Sequence, residues 1–250
     1  MLQQTQVARV AEAWPRFLEE FPTPAACARR PQRDVVAAWE GMGYHRRAVA
    51  LHRAALEIVE RFGGVVPDDE ASLESLPGVG PYTARAVLAF AFERDVAVVD
   101  TNVARILARA IAGEALTQRA AQTLADNLVV PGTGWAHNQA MLDFGALTCR
   151  AEPRCDGCAL RRSCRWARAD FVEPDPARTT AGTARPQAPF KGSDREVRGQ
   201  LLARARASAP RAASLDDVTA TFGHARVQRL VDALVADGLI VRTGKRVALK

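Results

Sequence analysis

Two groups of residues in this 250-residue chain have the types and spacing for chemistry. The first is Cys149, Cys155, Cys158 and Cys164, a C-x5-C-x2-C-x5-C run that gathers four thiols into one short loop. Four thiolates so placed make a metal centre. Zinc is the ordinary occupant of such a set, and a [4Fe–4S] cluster is the alternative. Spacing alone leaves both open. The second group is built on Asp100, which closes the apolar run Val96–Val99 and precedes Thr101, Asn102 and Val103. A helix begins there, with Val103, Ile106, Leu107 and Ala110 at helical spacing. The ordinary role of such an aspartate is to cap the helix by accepting from its orphan N–H groups.

The elements that must position Asp100 lie just upstream. Asp69–Leu76 is a short amphipathic segment, and Tyr82–Phe92 carries Ala84, Val87, Leu88 and Ala91 at helical spacing. Between them, Gly78-Val79-Gly80 makes a tight turn. Such a turn leaves backbone N–H groups pointing outward at a helix N-terminus, a site for a phosphate oxygen. Asp100 follows it by about one helix length.

Composition fits a folded protein with an anionic partner. A hydrophobic content of 48% supports a sizeable core, and the net charge of +6 suits a polyanionic partner. No apolar run reaches transmembrane length and no signal peptide opens the chain. Five cysteines, four of them clustered, are not a secreted disulfide framework. These features imply a cytoplasmic protein with no membrane partner.

The motifs LPGVGPYTA and VVDTNVARI, taken together, resemble those of the helix-hairpin-helix base-excision DNA glycosylases, in which an aspartate at the position of Asp100 is catalytic. MLQQTQV at the start resembles the adenine-specific (MutY-type) branch, which acts on A paired with G or 8-oxoguanine. The resemblance makes Leu2 a wedge in the base stack, has Gln4 and Thr5 contact the orphaned guanine, and puts Gln3 in the same DNA-binding tract. Trp39-Glu40-Gly41-Met42-Gly43-Tyr44-His45-Arg46-Arg47-Ala48 resembles the family's W-x-G-L-G-Y-Y-x-R-A, with Met42 and His45 replacing Leu and Tyr. Tyr44 is then a second wedge. Gly78, Val79 and Gly80 hold the DNA backbone. Tyr82 stands where lyase relatives carry a nucleophilic lysine, which implies hydrolysis without a covalent intermediate. Asn102 holds Asp100 or the deoxyribose. Asn138-Gln139-Ala140-Met141-Leu142-Asp143-Phe144-Gly145-Ala146 matches the helix leading to the family's cysteines, which hold [4Fe–4S] in a C-x6-C-x2-C-x5-C pattern. Here the first interval is one residue shorter.

The resemblance covers residues 1 to about 166 and implies a mainly α fold, a helical barrel plus an iron–sulfur cluster domain. The expected organisation is a barrel with the hairpin over 1–110, cluster helices and loop over 111–166, a Pro-rich linker over 167–193, and a C-terminal module over 194–250. Three amphipathic stretches and the pattern Leu239–Arg242, Thr243–Lys245, Arg246–Leu249 make that module winged-helix-like. The expected substrate is double-stranded DNA with A:8-oxoguanine or A:G, bound by a monomer.

One residue of the family's chemistry is missing. Breaking the N-glycosidic bond of a flipped base takes an acid for the leaving adenine and an anion for the cationic sugar. Asp100 supplies the anion. The acid is a Glu two residues ahead of the family's M-L-Q-Q-T, a position that would precede Met1. The expectation is therefore an enzyme whose start is misassigned, impaired as it stands. A non-catalytic DNA-binding protein that keeps mismatch recognition is the alternative.

Overall fold

The computed structural model describes residues 1–3, 5–180 and 189–250. The chain divides into two compact units. Met1–Pro67, Leu76–Gly78 and Gln187–Lys250 form the first, and Asp68–Ser75 with Val79–Pro186 form the second. Among the described residues no helix is long and apolar enough to cross a membrane.

In the first unit, α1 (Val7–Glu20), α2 (Pro24–Arg29), α3 (Gln32–Ala38) and α4 (Arg46–Phe62) open the chain. Thr23 caps α2 by accepting from the Ala26 N–H at 3.0 Å, with Pro24 at the first helical position. The stripe along α1 divides. Val10, Ala13, Phe17 and Phe21 turn inward, while Val7, Trp14 and Leu18 remain exposed. Phe17 packs edge-on to Trp39 at 5.8 Å. Burying an aromatic of this size is worth roughly 1.5–3 kcal/mol. Cys27 is a small packed residue here, its thiol pushed up to about 11 by burial.

The C-terminal residues of the same unit form α11 (Asp194–Ala207), β1 (Ala213–Ser214), α12 (Asp216–Phe222), α13 (His224–Ala236), β2 (Ile240–Thr243) and β3 (Arg246–Leu249). Both strand pairs are antiparallel, in the order β1-β3-β2, with Ser214 and Thr243 opposite Arg246. Helix, strand, two helices and a hairpin are the element order of a winged helix. This module has no separate core. Val197, Leu201 and Leu202 of α11, Leu230, Val231 and Leu234 of α13, and Ile240 and Val247 share one apolar cluster with Val10, Phe17, Val35, Val36, Trp39 and Met42.

The second unit contains α5 (Glu70–Glu74), α6 (Pro81–Ala91), α7 (Thr101–Ile106) running on as a π-helical turn (Leu107–Ala112), α8 (Gln118–Asp126), α9 (Gly134–Leu147) and the short α10 (Arg165–Arg168). Thr117 caps α8 through the Ala120 N–H at 3.2 Å. Composition suggests that the stretch after α10 is a spacer. Residues 171–180 instead pack into this unit, where Asp175, Ala177 and Thr180 are buried and the Thr180 hydroxyl accepts from the Leu116 N–H.

Candidate functional site

Asp100 is placed by an extended segment, residues 96–99, that belongs to no sheet. Backbone polar groups must still be paired there, and side chains do it. The Asn138 amide, 1% exposed, accepts from Val98 N–H at 2.7 Å and donates to the carbonyls of Val96 and Gly134. Ala97 donates to Asp126 and accepts from Arg85 and Gln122. Arg85 is itself tied to Glu70 and Asp126 at 2.8 and 2.7 Å. Asp95 accepts from the N–H groups of Gly132 and Gly134 and so caps α9.

At the end of this segment one carboxylate oxygen of Asp100 accepts from the Val103 N–H and the other from Asn102 Nδ2, both at 2.8 Å. Asp100 is thus the helix cap that spacing alone suggests, and a carboxylate oriented by a side-chain amide as well. The relay continues. Arg105 donates to Asn102 Oδ1 at 2.7 Å and to the carbonyls of Gly145 and Cys149 at 2.9 and 3.0 Å. Gly145 lets α9 approach this closely, since a Cβ there would stand 2.7 Å from the Asn102 Cβ and carbonyl oxygen. Tyr82, near the start of α6, is half-exposed. Burial, and then the charge of Asp100, raise its phenol above the ordinary tyrosine value.

The hairpin forms as its residues require. Asp69 caps α5 through the Ser72 N–H at 2.9 Å, and Gly80 precedes Pro81 at the first position of α6. Gly78 has φ +78° and its hypothetical Cβ would stand 2.6 Å from the Ala50 Cβ, so both conformation and space demand glycine. A Cβ on Gly80 would meet nothing within 4 Å, and Val79 between them is half-buried.

In the first unit Arg47 binds the opening residues to the 39–47 loop. Its guanidinium donates to the carbonyls of Met1, Gln3, Met42 and Gly43 and to the Thr5 hydroxyl at 2.6 Å. It also lies over the rings of Trp39 and Tyr44, at 5.3 and 5.7 Å. Trp39 is buried and donates to the Gly43 carbonyl at 3.1 Å. Leu2 is 60% exposed, and Tyr44 is partly exposed with φ +45°, a strained conformation for a non-glycine residue. The structure thus brings Leu2, Gln3, Thr5 and Tyr44 to one place. Gln4 lies outside the described residues.

His45 beside them has no hydrogen-bond partner at Nε2 among the described residues, and its pKa is lowered to about 4 by burial and then by the charges of Arg206, Arg198 and Arg47. A histidine whose folded pKa is depressed below 6.5 contributes stability that is present above that value and is lost as pH falls toward 4. Thermal midpoints should therefore drop across that window. His45→Tyr, which supplies the commoner residue of this stretch, should flatten the drop. Identical pH profiles for the two proteins would show that His45 does not titrate this way.

The four cysteines line one cavity with Phe144, Leu160 and Trp166. Its organiser is Arg109, 2% exposed on the π-helical turn. All five of its donors are used. They reach Asp175 Oδ1 at 2.9 Å and Oδ2 at 2.5 Å, the carbonyls of Arg150 at 2.5 Å and Ala151 at 2.9 Å, and Cys149 Sγ at 3.7 Å. The Trp166 ring lies 5.4 Å from the guanidinium carbon. Cys164 Sγ donates to the Arg109 carbonyl at 3.4 Å. The shortened arm, residues 150–154, is therefore held by Arg109. Among the described residues no three His, Cys, Asp or Glu side chains converge closely enough to hold a single metal ion. Four cysteines lining one cavity are the donor set for a thiolate-bound group, and a [4Fe–4S] cluster is the one the family resemblance implies.

Residue type and spacing point to Asp100, Asn102, Tyr82, the hairpin and the cysteines, but not to Arg47, Arg105, Arg109 or Asp175. A signal existed for Arg109, a cation flanked by Ile106, Leu107, Ala108, Ala110 and Ile111.

A capped hairpin with a glycine turn, followed by an amide-oriented aspartate at a helix start, defines the class of helix-hairpin-helix proteins. The chain matches the model for "HhH-GPD superfamily base excision DNA repair protein" over residues 1–129. It belongs to that family. The adenine DNA glycosylase of Mycolicibacterium smegmatis is 40% identical over 248 residues, covering 97% of this chain and 82% of that protein. The human adenine DNA glycosylase is 37% identical over 172 residues, 66% of this chain and 32% of its own. The mycobacterial match therefore extends through the C-terminal module, well past the motifs that carry the resemblance above. Among solved structures, a thermostable thymine-DNA glycosylase superposes with a TM-score of 0.62 at 26% identity, over 67% of this chain and 80% of that one. An endonuclease III trapped covalently on DNA gives 0.59 at 25% identity, over 68% and 82%.

Proposed function

We propose that this chain is an adenine DNA glycosylase that hydrolyses the N-glycosidic bond of adenine paired with 8-oxoguanine or guanine. The observation that carries the reading is Asp100 oriented by Asn102, with Tyr82 within electrostatic reach and in place of a nucleophilic amine. A flipped adenosine leaves a cationic sugar, which the Asp100 carboxylate stabilises. Asn102 holds that carboxylate in one orientation. The Tyr82 phenol, raised by burial and by the charge of Asp100, stays protonated and offers no nucleophilic amine, so water rather than the protein captures the sugar. The outward face of Gly78–Gly80 takes a phosphate. Leu2 and Tyr44 enter the stack, Gln4 and Thr5 would contact the orphaned guanine, and Gln3 belongs to the same DNA-binding tract. Cys149, Cys155, Cys158 and Cys164 would hold a [4Fe–4S] cluster, which would pin the loop that Arg109 already organises. The protein acts as a monomer.

Adenine release is measured in single turnover from duplexes with A opposite 8-oxoguanine, G or T. Release from the first two and not the third is expected; release from none would defeat the reading. The family resemblance puts the proton donor ahead of Met1, so residues 1–250 should bind these duplexes but cleave slowly. A chain extended upstream through that Glu should be about 10²–10⁴-fold faster. Equal rates would place the acid within these residues. In the extended chain Tyr82→Lys should also form a borohydride-trapped adduct with DNA, because an amine there attacks C1′. Abundant trapping with Tyr82 intact would contradict its assigned role.

A further inference from the structure

The charge of the chain is not spread along it. Residues 189–250 hold 12 of the 34 Lys and Arg but only 6 of the 28 Asp and Glu, so this stretch alone carries the formal +6 and residues 1–188 carry no net charge. A protein that must find and hold DNA therefore has its net attraction in the module that contributes none of the motif residues.

Within the module the cations differ in their freedom. Arg198 is bound to Asp237, Arg204 to Asp217, Arg206 to Glu40, Arg226 and Arg229 to Asp194, and Arg242 to Asp232. Lys245 and Arg246, at the tip and first position of the β2–β3 hairpin, are exposed and make no ion pair among the described residues. Arg211, just before β1, is likewise exposed and without an ion pair. In the sheet Arg246 lies between Ser214 and Thr243, both exposed, so the solvent face of this corner is polar. Val247, next along β3, turns into the core and anchors the strand that carries Arg246.

We infer that the β2–β3 hairpin, through Lys245 and Arg246 with Arg211 beside them, is a second DNA contact that grips the phosphate backbone of the duplex. This rests on the DNA-repair reading above and adds to it the surface that supplies sequence-independent affinity. A hairpin is narrow enough to lie along a groove of duplex DNA. Cations already paired with a carboxylate have less charge to offer a phosphate, whereas these three can neutralise phosphates and release the counterions condensed on the DNA.

The test uses the full chain with Lys245→Ala and Arg246→Ala combined, and Arg204→Ala as a control that lowers net charge at a cation already paired with Asp217. Binding to matched and A:8-oxoguanine duplexes is measured across salt concentrations. Each phosphate contact contributes about 0.9 to the slope of log affinity against log salt, so the double variant should lose about 2. By the same count, affinity near 0.1 M salt should fall about 8-fold per contact, equally for both duplexes. The single-turnover rate at saturating enzyme should not change, and Arg204→Ala should leave the slope nearly as it was. An unchanged slope in the double variant overturns the inference alone. So does an equal change in the control, which would make net charge rather than this surface responsible. Failure of the unaltered chain to bind any duplex overturns it together with the DNA-repair reading.

Discussion

Asp100→Asn should abolish measurable adenine release while leaving DNA binding nearly intact. Asparagine keeps the size of the side chain and still caps α7, because its oxygen can accept the Val103 N–H as Asp100 does now at 2.8 Å. What it removes is the negative charge beside the sugar. Charge placed where the transition state develops it is usually the largest single contribution to catalysis, so a loss of about 10²–10⁴ in single-turnover rate is expected. The measurement belongs in the upstream-extended chain, where the background is highest. A variant within about threefold of the parent would move the stabilising anion elsewhere.

The second large effect concerns stability. Arg109→Ala leaves the Asp175 carboxylate buried without its guanidinium, and Asp175→Ala does the converse. Breaking a buried ion pair on one side typically costs about 3–5 kcal/mol. Arg109→Ala should be the worse, since it also frees the carbonyls of Arg150 and Ala151 and the contact to Cys149. Arg109→Lys keeps the charge but not the five-donor fork, and should rescue only part of the loss. Denaturant midpoints and iron content per chain are the readouts, with iron falling alongside stability. Wild-type midpoints in all three variants would show that Arg109 does not organise the loop, and zinc in place of iron would refute the cluster assignment.

Much of this arrangement can be read from local signals. Thr23, Thr117 and Ser193 cap the helices that their spacing announces, because capping needs only a side-chain oxygen and a nearby N–H. The same logic fails where a longer-range partner competes. Asp34 suggests a cap, yet α3 starts at Gln32 and Asp34 bonds Arg30 at 2.9 Å. Ser214 suggests a cap for α12 but lies in β1, a strand too short to leave a period-2 pattern. Pro174 and Pro176 suggest a spacer, and nothing local reveals that Asp175 between them meets Arg109, 66 positions away. In the site, residue type and order expose Asp100, Tyr82 and the thiols. Among the side chains that orient them are ordinary arginines, Arg105 and Arg109, whose role exists only once distant carbonyls have been brought within reach.

The shared core of the first unit has a consequence for how the protein is made. Residues of α1 and α3 share one apolar cluster with residues of α11, α13 and β3, so these helices are translated long before the rest of their core. At about 5–20 residues per second that interval is on the order of ten seconds or more. The intervening unit, all of it drawn from residues 68–186, contains its own core and can form in the meantime. The two ends of the chain then close around apolar surface that has waited exposed, including Phe17, Trp39 and Met42. Residues 1–67 of the first unit are thus finished only after residues 187–250 have been made.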